Sequence, residues 1–168
     1  MANSRYCYNV DMFLLEVVHK FCEYNVGYAL TGGHAVSLHG AHRGTFDLDF
    51  LLTRTAKNLQ MAERALNELG LTSDLPLNSK LIYENWIEYQ ANRNLVAWSF
   101  TDVKAPLRKV DLLVIYDLAD FEFEVMKIQR VSVNVVSKKS LIELKQRAGR
   151  VQDLEDIRAL TQSRDSEE

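Results

Sequence analysis

Several things are scarce in this chain, and each scarcity excludes a class of protein. No apolar run approaches the roughly 20 residues that cross a bilayer, so no membrane anchor is expected. The opening residues Met1-Ala2-Asn3-Ser4-Arg5 lack the apolar segment of a secretory leader. Only two cysteines occur, Cys7 and Cys22, too few for a disulfide framework or a cysteine-based zinc site. A reducing cytoplasm is the expected compartment, and Cys22, following an apolar helical pattern, reads as a small core residue. Excess positive charge is also missing. Twenty Lys and Arg face 23 Asp and Glu, a net charge of −3, which excludes coating of nucleic acid by bulk electrostatics but leaves room for a local basic patch. There is no repeat, low-complexity tract or linker. What is there is ordinary for one packed domain: 168 residues, 47% hydrophobic and 26% charged. A single domain over 1–168 is expected, with 162–168 as a frayed tail.

Periodicity gives the elements. Val10, Phe13, Leu14, Val17, Val18 and Phe21 recur at helical spacing. Tyr28-Ala29-Leu30 reads as a short buried strand ending at Gly32-Gly33. A short helix from His34 to His39 follows and Gly40 stops it. Phe46 to Leu51 alternates as a strand. Leu59, Ala62, Leu66 and Leu69 predict a helix closed by Gly70. Residues 71–87 carry no clear period. Leu95–Phe100 and Lys109–Ile115 read as strands, and 119–126 fits either a strand or a surface helix. Val131–Val136 is a strand. Ser137 is placed to cap a helix over Lys138–Ala148 that Gly149 ends, and a last helix spans about Val151–Leu160. The expected fold class is α/β (α+β): a mixed, mostly antiparallel sheet flanked by helices.

The chemistry concentrates between Leu30 and Asp49. A Gly32-Gly33 turn lets backbone N–H groups approach a phosphate, and a helix beginning there adds its positive end. Thirteen residues later comes Asp47-Leu48-Asp49. Strand alternation puts both carboxylates on one face, where they repel unless a cation or a shared proton offsets them. Asp111 adds a third acid in an apolar strand. Carboxylates so placed hold Mg²⁺ in phosphoryl and nucleotidyl transfer; the plainer alternative pairs them with Arg43, Arg108 or Lys109 in structural ion pairs. Arg43 either clamps a phosphate or pairs with Asp47 or Asp49, and Thr45 supports either arrangement.

The remaining candidates are less specific. His34, His39 and His42 put at most two imidazoles on one helical face, short of a zinc site. Lys138, Lys139, Lys145, Arg147 and Arg150 make a basic stretch that fits an RNA acceptor, a triphosphate or simply a solvated helix face. Read from the residues, Lys145 is a solvated helix charge and Asp153 an acid favoured near a helix N-terminus. Tyr83, Trp86, Tyr89 and Trp98 offer stacking surfaces, with core packing favoured for Trp98.

Gly32-Gly33, Asp47-Leu48-Asp49 and Asp111, taken together, resemble the signature of the nucleotidyltransferase superfamily, the DNA polymerase beta-like palm. The chain departs from it in having Gly33 where many members have serine. The pattern Gly33-His34-Ala35, Gly40, Arg43-Gly44-Thr45-Phe46-Asp47-Leu48-Asp49 resembles a narrower branch of small bacterial AbiEii-type toxins and antibiotic nucleotidyltransferases. So does the tail Leu141-Ile142-Glu143-Leu144-Lys145, Ala148-Gly149-Arg150, Asp153-Leu154, Asp156-Ile157. The matched segments run from Leu30 to Ile157, with a poorly matched middle over 71–100. The resemblance implies a minimal nucleotidyltransferase palm, Mg²⁺ on Asp47 and Asp49, and Asp111 as third ligand or general base. It further implies an NTP substrate held by Gly32, Gly33, Arg43 and Thr45, with Lys145 and Asp153 pointing back at the site. The acceptor would be a hydroxyl of RNA, particularly tRNA, as for a toxin with a cognate antitoxin, or of an antibiotic or other small molecule. A homodimer or a protein partner that completes the site is compatible with it, as is a non-catalytic nucleotide-binding module acting through a partner.

Overall fold

The computed structural model describes residues 4–41, 43–92 and 95–162, with side chains from Met12 onward. Helix α1 (Ser4–Glu23) precedes β1 (Tyr28–Thr31), α2 (Gly32–Leu38), β2 (Leu48–Leu52), α3 (Ala56–Glu68) and β3 (Leu71–Ser73). Then come α4 (Ser79–Asn92), β4 (Ala97–Asp102), β5 (Ala105–Leu113), a 3₁₀ turn (Leu118–Asp120), β6 (Phe123–Ile128), β7 (Val131–Val136), α5 (Lys138–Ala148) and α6 (Val151–Gln162). Among the described residues the strands form one sheet in the order β3-β4-β5-β2-β1-β7-β6. Pairing is antiparallel except for β1 with β7 and β2 with β5.

The centre of the sheet explains its composition. All four residues of β1 are buried, as expected of a strand covered on both faces. On one face Tyr28 and Phe50 pack with Phe21 of α1, ring centroids 5.2–5.7 Å apart and steeply inclined. Such tilted aromatic contacts favour this arrangement beyond area burial, and they lock α1 onto β1 and β2. The opposite face carries Ala29, Thr31, Asp49 and Leu51. Register then extends that face across the sheet, with Thr31 opposite Asp49, Asp49 opposite Asp111 and Asp111 opposite Ser99.

The structure corrects the sequence reading in several places. Strand β2 begins at Leu48, not Phe46; Phe46 is about half exposed and Asp47 sits in the bend before the strand. Helix α2 starts on Gly32 itself instead of after the glycines. The region without a period holds β3 and α4. Helix α4 was hidden because its apolar residues are scattered around its axis, with Leu81, Tyr83 and Ile87 all exposed. The 119–126 segment resolves as the end of the 3₁₀ turn and an edge strand, β6, whose Phe123 and Val125 face outward. Cys22 is exposed and is no core residue: it lies one 100° step past Phe21, off the stripe of Leu14, Val17, Val18 and Phe21. His42 and residues 163–168, part of the expected tail, lie outside the described residues, while Gln162 ends α6. No helix of the described residues is long and apolar enough to cross a membrane.

Candidate active site

A cleft of about 500 Å³ opens on the acid-bearing face of the sheet. Thr31, Gly32, Gly33, Arg43, Thr45, Asp47, Asp49 and Asp111 line one end, and Leu113, Tyr116, Leu141, Leu144, Lys145, Arg150 and Asp153 line the other parts. The glycines, the acids and the residues expected to frame a triphosphate therefore all border one cavity.

The two glycines are there for steric reasons. Gly32 has φ +65°, a conformation that L side chains rarely adopt, and a Cβ on it would lie 1.9 Å from Oδ2 of Asp49. A Cβ on Gly33 would lie 2.8 Å from Cγ2 of Thr45. The serine of the superfamily pattern thus has no room at position 33 while Thr45 keeps its place. Thr31 occupies the N-cap position of α2, but its side chain makes no capping hydrogen bond, so it does not consume the first-turn N–H groups.

The acids are short of positive charge. Asp49 is enclosed, and burial, with Asp111 and then Asp47 nearby, pushes its carboxyl up to about 6 despite the opposing influence of Lys145 and Arg150. Asp111 has a buried oxygen, Oδ1, with no hydrogen-bond partner. Both observations fit a hard cation with oxygen ligands. Among the described residues Lys109 supplies the close countercharge: its Nζ lies 3.5 Å from Oδ2 of Asp111 and 3.8 Å from Oδ2 of Asp47. Among the described residues no three His, Cys, Asp or Glu side chains converge as a metal-holding group. Asp47, about half exposed, leans toward Lys109.

Behind the acids lies a second cluster. Lys145 Nζ is 3.1 Å from Asp153 and 2.8 Å from Asp156, all three buried. Arg150 Nε donates to Asp153 at 2.8 Å, and Arg43 donates to Asp156. Burial pushes the Asp153 carboxyl up, but hydrogen bonds from Arg150 and Lys145 outweigh it and hold the group below the ordinary carboxylate range. Lys145 and Asp153 are therefore not solvated helix charges. Arg43 pairs with neither Asp47 nor Asp49. Asp156 enters the tail pattern without a site role, although a signal for one existed: Asp153, Asp156 and Leu160 share one helical face, and all are buried.

Other candidates are placed elsewhere. Of the basic stretch, Lys139 pairs with Glu122, Arg147 with Glu143 and Arg150 with Asp153. Trp98 is fully buried, its Nε1 donating to Ser73 Oγ at 2.8 Å. Trp86 lies under the Arg54 guanidinium at 3.9 Å, and Tyr83, Trp86 and Tyr89 are not among the cleft residues. One ring nitrogen of His39, Nε2, is 2.8 Å from the Val136 carbonyl.

The fold is that of solved nucleotidyltransferases. The lincosamide antibiotic adenylyltransferase LnuA, solved with lincomycin bound, superposes with a TM-score of 0.61 over 90% of this chain and 96% of its own, at 14% identity. The antibiotic-resistance factor ANT(2'')-Ia gives a TM-score of 0.60 over 91% of this chain and 83% of its own, also at 14% identity. A candidate nucleotidyltransferase from Thermotoga maritima gives 0.59 over 98% and 97%, again at 14% identity. No protein-family model matches the chain, and no curated protein sequence does.

Proposed function

We propose that the protein transfers a nucleoside monophosphate from an NTP to a hydroxyl acceptor, with Mg²⁺, releasing pyrophosphate. The observation that carries this reading is the cation-short acid row, Asp49 against Asp111, set directly beside Gly32, whose missing side chain leaves space against Asp49. Asp49 and Asp111 would hold Mg²⁺, with Asp47 at the mouth. When bound, the ion would supply countercharge for the triphosphate and polarise the reacting phosphate. Gly32 and Gly33 would bring uncapped N–H groups to the triphosphate, while Arg43, Thr45, Lys145 and Asp153 would frame it. The acceptor oxygen forms its bond to the α-phosphorus as the bond from that phosphorus to the bridging oxygen breaks. The hydroxyl proton passes to Asp111, and pyrophosphate takes the electron pair.

For the acceptor, a small hydroxylated molecule is favoured over RNA. The basic stretch that would grip RNA is ion-paired at Lys139, Lys145, Arg147 and Arg150, so each phosphate contact there would displace an acid, which weakens the counterion-release drive. LnuA, with its bound lincomycin, supports the same direction. The toxin reading, with RNA or tRNA as acceptor and a cognate antitoxin, is the second arm of the test. Titration calorimetry should show Mg²⁺-dependent NTP binding that Asp49→Ala and Asp111→Ala each abolish. Binding that survives both changes would overturn the proposal. Incubation of labelled NTPs with total RNA and, separately, with hydroxylated small molecules identifies the acceptor class by where the label goes.

A further inference from the structure

Asp47 and Lys109 each stand two residues before a paired acid, on strands in parallel register: Leu48 lies opposite Val110 and Asp49 opposite Asp111. Extending that register sets Asp47 beside Lys109 on the cleft face. The ammonium accordingly sits between Oδ2 of Asp47 and Oδ2 of Asp111. It occupies the place from which a cation would bridge those two carboxylates. The charges agree with this placement. Lys109 offsets only part of the charge of Asp47, Asp49 and Asp111, and Asp49 stays raised despite Lys145 and Arg150, so the row still calls for a cation. The unpartnered Asp111 Oδ1 and the enclosed Asp49 mark the side left open for it. With Lys109 in place, a second divalent ion on Asp47 and Asp111 would meet a fixed positive charge already in contact with its own ligands.

We propose that Lys109 is a built-in substitute for one of the two divalent ions that nucleotidyl transfer commonly uses, so that this site takes a single divalent ion with its nucleotide. The proposal rests on the nucleotidyl-transfer reading above. In this role Lys109 is a positioning residue: it holds Asp47 and Asp111 apart from a second metal and keeps Asp111 aligned with Asp49.

The test counts metal instead of activity. Mn²⁺ bound per chain is measured by electron paramagnetic resonance at saturating α,β-methylene NTP, each of the four bases in turn. The wild type and Lys109→Arg should bind one Mn²⁺ per chain, and Lys109→Met about twice as much, with an unchanged circular dichroism spectrum. Two Mn²⁺ in the wild type, or an equal count in wild type and Lys109→Met, would overturn this assignment alone. Absence of any Mn²⁺-dependent nucleotide binding in the wild type would overturn the proposed reaction and this assignment with it.

Discussion

The acid row on the sheet and the ion-pair network formed by α5, α6 and the loop before β2 hold the same kinds of side chain in opposite proportions. On the sheet side, Asp47 and Asp111 share Lys109, and Asp49 beside them has only the more distant Lys145 and Arg150 to oppose its charge. In the network, Arg43, Lys145 and Arg150 surround Asp153 and Asp156. The consequences for the carboxyls are opposite as well: Asp49 is pushed up to about 6 and Asp153 is held below its ordinary value. Burial acts in the same direction on both, so the difference comes from partners. A carboxylate that folding leaves under-neutralised is held at a cost in stability that a ligand can recover. One that folding over-neutralises serves to pin elements together. Side by side along one cleft, the first is the chemically expectant half and the second its frame.

The same substitution in the two halves should separate them most widely. Lys145→Met strips a buried cation from Asp153 and Asp156, and removing one partner of a buried pair costs about 3–5 kcal/mol. Because Arg150 and Arg43 remain beside those acids, the lower end, about 3 kcal/mol, is expected in urea unfolding. Lys109→Met removes a cation that is itself about one-third exposed, where ion pairs contribute only about 0–1 kcal/mol. Equal losses in the two variants would erase the contrast between row and frame.

Asp49→Asn should move stability the other way. In metal-free protein at pH 7, Asp49 is ionised at a cost, because its folded value of about 6 stands well above the ordinary 3.8. Removing the charge should stabilise by about 1–3 kcal/mol, since a tenfold change in proton affinity corresponds to about 1.4 kcal/mol. The sign follows from proton uptake. A raised carboxyl binds its proton in the folded state first, so its penalty is full above pH about 6 and fades as pH falls toward 3.8. The gap between variant and wild type should therefore narrow from pH 7 to pH 4.5. Asp153, held low, behaves in reverse: its stabilisation is full above the ordinary carboxylate value and is lost as pH falls through its folded value. Chelator-treated protein unfolded at both pH values measures this, and an Asp49→Asn chain less stable than wild type at pH 7 would contradict it.

How far these halves could be read from the sequence differs for a physical reason. The acid row was legible because its residues break a pattern. Asp49 and Asp111 interrupt apolar strands, and glycines precede them at a spacing that a turn and a short helix fill. Buried β1, the capped helix α5 with Ser137 and Gly149 at its ends, and the core of α1 were legible from period alone. The members Arg43, Lys145 and Asp153 were candidates through the resemblance, but their pairing was not legible, because Arg43 and Asp156 lie 113 residues apart and a charge on a helix looks solvated until a partner helix covers it. Lys109 appeared as one salt-bridge candidate among three. Only the parallel register of β2 and β5 puts it between two acids, and no local pattern encodes that register. Helix α4 was lost because exposed apolar residues on several sides blur its period.

The point where the two halves touch is the pair Gly33 and Thr45. Gly33 follows Gly32, which abuts Asp49; Thr45 follows Arg43, which is tied to Asp156. Ser37 Oγ reaches both the Gly33 carbonyl at 3.2 Å and the Arg43 carbonyl at 2.9 Å, so α2 and this loop are stapled together. A serine at 33 must push Thr45 aside, because its Cβ would sit 2.8–2.9 Å from Thr45 Cγ2 and Cβ. Overpacking of this kind costs about 1–3 kcal/mol, and here the strain should reach Arg43 and loosen its hold on Asp156. Thr45→Gly removes the three atoms nearest that Cβ, at its own small backbone cost. Measured as a double-mutant cycle by urea unfolding, Gly33→Ser and Thr45→Gly should couple favourably by about 1 kcal/mol or more. Additive losses would mean that the loop accommodates the serine without resistance, and that the acid row and its frame are mechanically independent.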